Sequence, residues 1–153
     1  MNVHYIALSY CLVYNLGFET WGPYFFVEEN GHIITVNTNR YCQMLEDLVM
    51  PKLDEIEDTE KFWFLQVGAT CHASRRSIAL LREIFPNRNR LISLRGDICM
   101  PVRSPELNLC DFFLWGHLQA KVLSQSHETI DDLKDTIRRE VALIPPAQSP
   151  GKL

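Results

Sequence analysis

The stretch WFLQVGATCHASRR, residues 63–76, carries the clearest fold signal in this chain of 153 residues. Residues 62–67 form an apolar run, with Gln66 within it, of the length expected for a central strand, and the Gly-Ala-Thr at 68–70 ends it. The spacing of apolar residues then predicts a helix from about residue 72 to 85, which Pro86 and Asn87 stop. LISL at 91–94 predicts another short strand. Strand, helix and strand in this order predict an α/β or α+β architecture.

The residues before this stretch predict three short strands and a helix. Residues 5–13, 22–27 and 32–36 are aromatic or β-branched runs separated by turn-prone residues, so they predict an antiparallel meander. Asn37 or Thr38 can cap a helix that ends near Pro51. Its apolar residues follow helical spacing and predict one buried face: Tyr41, Met44, Leu45, Leu48 and Val49.

The residues after this stretch predict a loop and two helices. The loop runs from Gly96 through Pro105, and the first helix starts near Asp111 and buries Leu118 and Val122. The second helix has Thr129 as its N-cap with Asp132 three residues on, and it ends at Pro145-Pro146. One domain is therefore predicted over residues 1–146, followed by a tail at 147–153.

Charge is distributed unevenly along the chain. The formal net charge of −4 argues against a freestanding nucleic-acid-binding module, which usually carries an excess of Lys and Arg. Residues 28–60 hold nine acidic residues against two basic ones, whereas residues 75–103 hold seven arginines against two acidic residues. The arginines fit either of two interpretations: a basic face for phosphate, or an ordinary solvated helix face.

The cysteines and one apolar segment indicate the cellular compartment of the protein. Five scattered cysteines form no CxxC pair and no zinc-type spacing, which predicts reduced thiols, mostly in the core. The apolar run at 5–16 is too short to cross a bilayer, has no preceding Lys or Arg, and predicts a buried strand. We therefore expect a nuclear or cytoplasmic protein that is neither secreted nor bound to a membrane.

Three polar residues are candidates for chemistry. Asp111 at a predicted helix start is either a helix cap or a metal ligand of the kind found in two-metal nucleases, where carboxylates hold two magnesium ions. His72, after the strand, is either a residue at the mouth of a site or a capping or packed histidine. Asp97 is interpreted as a turn residue.

Several segments, in order, resemble the catalytic part of mariner-like DNA transposases of the DDE superfamily. They are GPYFF at 22–26, VNTNRYCQMLEDLVMPKLDEI at 36–56, the strand ending in Gly-Ala-Thr-Cys71-His72, LISLRGDI at 91–98, RSPELNLCDFFLWG at 103–116 and TIDDLKDTIRREVALIPP at 129–146. The resemblance implies a ribonuclease H-like fold, a mixed sheet flanked by helices and truncated at its N-terminus. It also implies metal-dependent DNA cleavage and strand transfer with Mg²⁺ or Mn²⁺.

The resemblance also assigns the metal-binding positions. Asp111 matches the third carboxylate of the family, and Val67 occupies the position of the second. The first carboxylate is expected on a strand upstream of the segment represented here by residues 3–12, and the helix-turn-helix region that reads DNA is expected upstream as well. Glu106 and Leu109 are milder departures from the family pattern. A valine cannot ligate magnesium, and neither Gln66 on the opposite strand face nor His72 replaces the lost carboxylate.

Three interpretations of the whole chain follow. The first is a catalytically inactive remnant that retains weak or ancestral DNA affinity, with Arg75, Arg76, Arg82 and Arg103 as the DNA-binding candidates. The second is a domesticated module that binds DNA or a transposase subunit without cutting. The third is a fragment of a longer protein. Loss of the upstream strand would expose an apolar sheet edge, so self-association through that edge is also expected.

Overall fold

The computed structural model describes residues 11–15, 20–55, 64–66, 69–85, 91–99 and 116–144, with side chains described from Trp21 onward. They fall into two compact units, one within Val36–Asn108 and one drawn from Met1–Thr35 and Leu109–Leu153. The single domain predicted over 1–146 stays a prediction, because compact units of this size also occur within one domain.

The Val36–Asn108 unit contains a small parallel sheet flanked by helices. Its strands are β3 (Phe64–Leu65), β4 (Leu91–Ser93) and β5 (Ile98–Cys99), arranged in that order and all parallel. Parallel neighbours require a crossover connection, and the helix α2 (Arg75–Ile84) lies between β3 and β4 in the chain. The predicted strand, helix and strand are therefore present, and the prediction of α/β character is confirmed at this level.

Strand β5 was not predicted, because the sequence indicated a loop from Gly96 onward. Only residues 94–97 separate β4 from β5, and this is a short connection for two parallel strands. The tight path depends on Gly96: a Cβ there would overlap the carbonyl oxygen of Leu91 and lie 3.0 Å from the backbone nitrogen of Ser93. Glycine is the residue that allows this close approach of backbone to backbone.

The helix α1 has three consecutive segments: an α-helix Thr38–Met44, a π-helix Leu45–Val49 and an α-helix Met50–Asp54. Asn37 caps it by accepting a hydrogen bond from the backbone N–H of Arg40 at 2.9 Å, as the sequence predicted. Four of the five predicted core residues are buried, but Leu48 is 42% exposed. That prediction was wrong because the π-helical turn is wider, which shifts the phase of later side chains away from 3.6-residue spacing.

Helix α2 begins three residues later than predicted. Ser74 is its N-cap and accepts a hydrogen bond from the backbone N–H of Ser77 at 3.1 Å. Ile78, Leu81 and Phe85 are buried, and α2 packs against the first segment of α1. The apolar stripe that predicted the helix is thus the face that it buries.

The second unit contains an antiparallel strand pair. β1 (Cys11–Asn15) pairs with β2 (Thr20–Phe25), with an irregular register between Leu12 and Tyr14. A turn then follows in which Gly31, at φ +81°, donates its N–H to the Glu28 carbonyl at 2.9 Å. The predicted strand at 32–36 is present only as a bridge between Val27 and Ile33. The predicted antiparallel pairing of the first two strands is confirmed with shifted bounds, and residues 5–10 of the first predicted strand lie outside the described residues.

Two helices complete the second unit. Helix α3 (Gly116–Leu123) buries Leu118 and Val122, and helix α4 (Ile130–Ala142) packs against α3 and β2. Thr129 and Asp132 form the predicted capping box: each side chain accepts a hydrogen bond from the other residue's backbone N–H, at 3.1 and 3.0 Å. The predicted start of the preceding helix near Asp111 and the predicted stop at Pro145-Pro146 lie outside the described residues.

The apolar core of the second unit comes from β2, the segment that follows it, and both helices. Its buried members are Trp21, Phe26, Leu118, Val122, Leu133, Ile137 and Val141. Within the described ranges, no helix has the length and apolar character that a bilayer crossing requires.

Candidate functional site

The segment after β3 is held by a buried amide, Gln66, which is 6% exposed. Its side-chain carbonyl accepts a hydrogen bond from the Tyr41 hydroxyl at 2.7 Å. Its side-chain amide donates to the backbone carbonyl of His72 at 3.0 Å and to the Ser93 hydroxyl at 2.9 Å. One side chain therefore joins α1, β3, the turn before α2 and β4.

His72 lies in the same cluster. The residue is 8% exposed, and its ring packs on the Tyr41 ring with centroids 4.4 Å apart. Its backbone N–H donates to the Ala69 carbonyl at 3.0 Å, which closes the turn between β3 and α2. The sequence left two interpretations open, a residue at the mouth of a site and a capping or packed histidine. In the structure, His72 is a packed histidine.

A second set of polar contacts holds the other side of this turn. The Ser77 hydroxyl donates to the Cys71 carbonyl at 2.5 Å, lies 2.8 Å from the Ser74 hydroxyl, and lies 3.6 Å from the Cys42 sulfur. Ser77 and Cys42 are both fully buried. These contacts, like those of Gln66, fix the path of the backbone immediately after the Gly-Ala-Thr sequence.

The three described cysteines are free thiols in different environments. Cys42 is buried, Cys71 is intermediate and Cys99 is exposed. The side chains of Cys11 and Cys110 lie outside the described residues, so the prediction of reduced thiols mostly in the core stays a prediction for the five cysteines together. Burial is the largest influence on Cys71 and raises the pKa of its thiol above the ordinary 9.0, despite backbone hydrogen bonds that lower it. A raised pKa disfavours the reactive thiolate, so Cys71 is not set up as a nucleophile.

The three described arginine candidates differ in their partners. Arg76 is exposed and donates from Nη1 to the side-chain oxygen of Asn39 at 2.7 Å. Arg82 makes an ion pair with Asp97, with 3.3 Å between Nε and Oδ1. Arg75 is exposed at the first position of α2. Asp97 lies in the turn between β4 and β5, as the sequence predicted.

The other predicted site residues lie outside the described residues: Val67, Asp111 and Arg103. Among the residues that the structure describes, no group of three or more His, Cys, Asp or Glu side chains could hold a metal ion. Mg²⁺ or Mn²⁺ is the metal that the resemblance implies for the family, and its productive binding is expected to be lost in this chain. This expectation and the predicted exposed sheet edge stay predictions.

Sequence reasoning missed the polar residues that organise this region: Ser77, Ser93, Asn39 and the role of Gln66. A signal for two of them was present. Gln66 and Ser93 each interrupt a short apolar strand, and a lone polar residue in a buried strand requires a hydrogen-bonding partner. The identity of the partner could not be read from local spacing.

Searches against models of known families, curated proteins and solved structures found no match to this chain.

Proposed function

We propose that this chain is a catalytically inactive relative of mariner-like transposases, with a ribonuclease H-like catalytic fold. The order and content of the sequence segments that resemble this family carry the proposal. The parallel β3–β4 pair with α2 between them supports it, because the Gly-Ala-Thr sequence then follows a sheet strand and leads into a helix. The ribonuclease H-like fold and membership of the transposase family are both part of the proposal.

The chemistry of the available ligands supports inactivity. In two-metal sites, carboxylates hold two divalent ions that activate the attacking oxygen and stabilise the leaving oxygen. Val67 occupies the position that the resemblance assigns to one of these carboxylates, and a valine side chain supplies no oxygen. With valine at position 67, the side chains at positions 67 and 111 therefore do not fit the metal pair.

The proposal is tested by restoring the lost carboxylate. If positions 67 and 111 face one site, Val67→Asp should give Mn²⁺ binding that the native chain lacks, and the double variant Val67→Asp, Asp111→Ala should lose it again. Val67→Asn is the matched neutral control. Titration calorimetry measures the binding, and nicking of supercoiled plasmid with Mg²⁺ or Mn²⁺ is followed in the same samples with a chelator control.

Two outcomes would contradict the proposal. Metal-dependent nicking by the native chain that disappears in Asp111→Ala would show that the protein is an active enzyme. Mn²⁺ binding that is equal in all four proteins would show that positions 67 and 111 do not belong to one metal site.

The second candidate function is a non-catalytic module that binds DNA or a transposase subunit. The observation that favours it is the pair of exposed arginines, Arg75 and Arg76, at the start of α2. Duplex binding that weakens steeply as salt is raised is the expected signature, because phosphate contacts release counterions.

A further inference from the structure

We infer that Arg75 and Arg76, at the start of α2 beside the first turn of α1, form a clamp for the phosphate backbone of duplex DNA. The inference rests on the second candidate function and deepens it, because it separates the arginines that bind from those that do not. It also assigns a positioning residue, Asn39, that the sequence gave no reason to select.

Two contacts bring the helix starts together. Arg76 donates to Asn39 at 2.7 Å, and the Ser77 hydroxyl lies 3.6 Å from the Cys42 sulfur. Asn39 and Cys42 are one turn apart on α1, and Arg76 and Ser77 are neighbours on α2. The first turns of both helices therefore adjoin, and Arg76 has one terminal nitrogen fixed there.

Within the described residues, the two arginines at this junction have no carboxylate partner. Asn39 is a neutral amide, so its hydrogen bond orients Arg76 without cancelling its charge. Residues 36–45 and 69–82 contain no Asp or Glu, and within the described residues neither Arg75 nor Arg76 forms an ion pair with a carboxylate. Two forked guanidinium groups with free donors suit phosphate oxygens.

The far end of α2 shows the opposite arrangement. Arg82 is paired with Asp97 at 3.3 Å, and Glu83 is the next residue along the helix. The sequence offered Arg82 together with Arg75 and Arg76 as DNA-binding candidates. The structure distinguishes them, since a cation already paired with a carboxylate has less to gain from a phosphate.

The surroundings favour phosphate over a protein partner. Protein interfaces normally have an apolar or aromatic centre. The exposed large apolar residues of the described chain are Leu48, Ile98, Leu123 and Leu143, and none belongs to residues 36–45 or 69–82. A polar, cationic surface of this kind matches the interfaces that proteins make with nucleic-acid backbones.

The local helix energetics point in the same direction. The first turn of a helix favours carboxylates, but α2 has two arginines and no acidic residue in its first turn. Departures from a local stability rule tend to occur at functional positions. With a net charge of −4 on the chain and an acidic segment before β3, we expect weak, sequence-independent binding.

The decisive variant is Asn39→Asp in the full chain. It places a carboxylate 2.7 Å from the Arg76 nitrogen and an acidic residue in the first turn of α1, so the thermal midpoint should rise. The same change neutralises one arm of the clamp, so duplex affinity should fall by about threefold or more. A purely structural role for Asn39 would move stability without moving DNA binding.

Fluorescence anisotropy with a duplex of about 20 base pairs gives the affinity and its salt dependence. Arg75→Gln with Arg76→Gln should weaken binding by about tenfold, and it should reduce the slope of log affinity against log salt by about 2, roughly one unit per lost phosphate contact. Arg82→Gln is the matched control on the same helix and should leave the slope unchanged.

Three results would overturn the inference. One is an unchanged salt slope in the double arginine variant, and another is an equal loss of slope in Arg82→Gln. The third is displacement of the duplex by inorganic phosphate at matched ionic strength, which would indicate a site for a free anion. None of these readouts depends on Val67 or Asp111, so failure of the clamp and failure of the transposase proposal remain distinguishable.

Discussion

The two compact units are held by polar contacts of very different range. In the Val36–Asn108 unit, Gln66 bonds to residues 25 and 27 positions away in the chain, Tyr41 and Ser93. In the second unit, the capping box at Thr129 and Asp132 spans three residues, and so do the ion pairs of Lys134 with Asp131 and of Arg138 with Asp135. An exposed hydrogen bond from Arg139 to Gln125 spans 14 positions.

This difference predicts which substitutions destabilise each unit most. A buried polar group costs most when its partner is removed, because the remaining donor or acceptor is left without water or a bond. An exposed cap or ion pair can be replaced by water. We therefore expect substitutions in the buried cluster of Gln66, Tyr41 and Ser93 to lower the free energy of unfolding more than substitutions in the exposed contacts of the second unit.

The largest effect is expected for Gln66→Leu. Leucine fills similar volume but removes three hydrogen bonds, leaving the Tyr41 hydroxyl, the Ser93 hydroxyl and the His72 carbonyl without this partner. We expect a loss of about 3 kcal/mol in the free energy of unfolding, measured by urea titration. Gln43→Leu, at an exposed position of α1, is the control, and similar losses in both variants would contradict the assigned role of Gln66.

The next effect tests the tight connection between β4 and β5. Gly96→Ala places a methyl group against the Leu91 carbonyl oxygen, so the backbone must move, at a cost of about 2 kcal/mol. Gly116→Ala is the matched change in the second unit, where nothing lies within 4 Å of the added carbon, and its stability should be unchanged or slightly higher. Equal urea midpoints for Gly96→Ala and Gly116→Ala would contradict the expected difference in their stability.

A smaller effect is expected for the N-cap of α4 in the second unit. Thr129→Ala removes the side-chain oxygen that accepts from the backbone N–H of Asp132, and it should cost about 1 kcal/mol. Ser126→Ala, at an exposed position before the helix, serves as the control. A loss in the free energy of unfolding as large as that of Gln66→Leu would contradict the expected difference between the two units.

The smallest effect is expected for Arg82→Gln. The side chain of Arg82 is 54% exposed, so solvent screens its ion pair with Asp97 and the cost should be about 0.5 kcal/mol or less. The cost should disappear at high salt, and urea titrations at two salt concentrations would check this. A salt-independent loss would indicate that Arg82 acts through packing of its alkyl chain.

The boundaries of the elements show how far local pattern predicts this fold. The cap at Thr129 was predicted from the sequence, and Asn37 was one of two predicted alternatives for the other cap, because a cap and its partner lie within four residues. Leu48 was assigned to the core because regular helical spacing was assumed, and the π-helical turn cannot be seen in that spacing. Strand β5 was missed because two residues are too few to show alternation.

The sequence by itself determined the order of strand, turn and helix around Gly-Ala-Thr, the helix caps, and the presence of valine at position 67. These depend on residue identity and on neighbours a few positions apart. Only the tertiary structure decided that Gln66 joins four segments, and that Asn39 rather than a carboxylate meets Arg76. The contacts of Gln66 with Tyr41 and Ser93, and of Arg76 with Asn39, join residues more than 20 positions apart, where chain folding and not local propensity selects the partner.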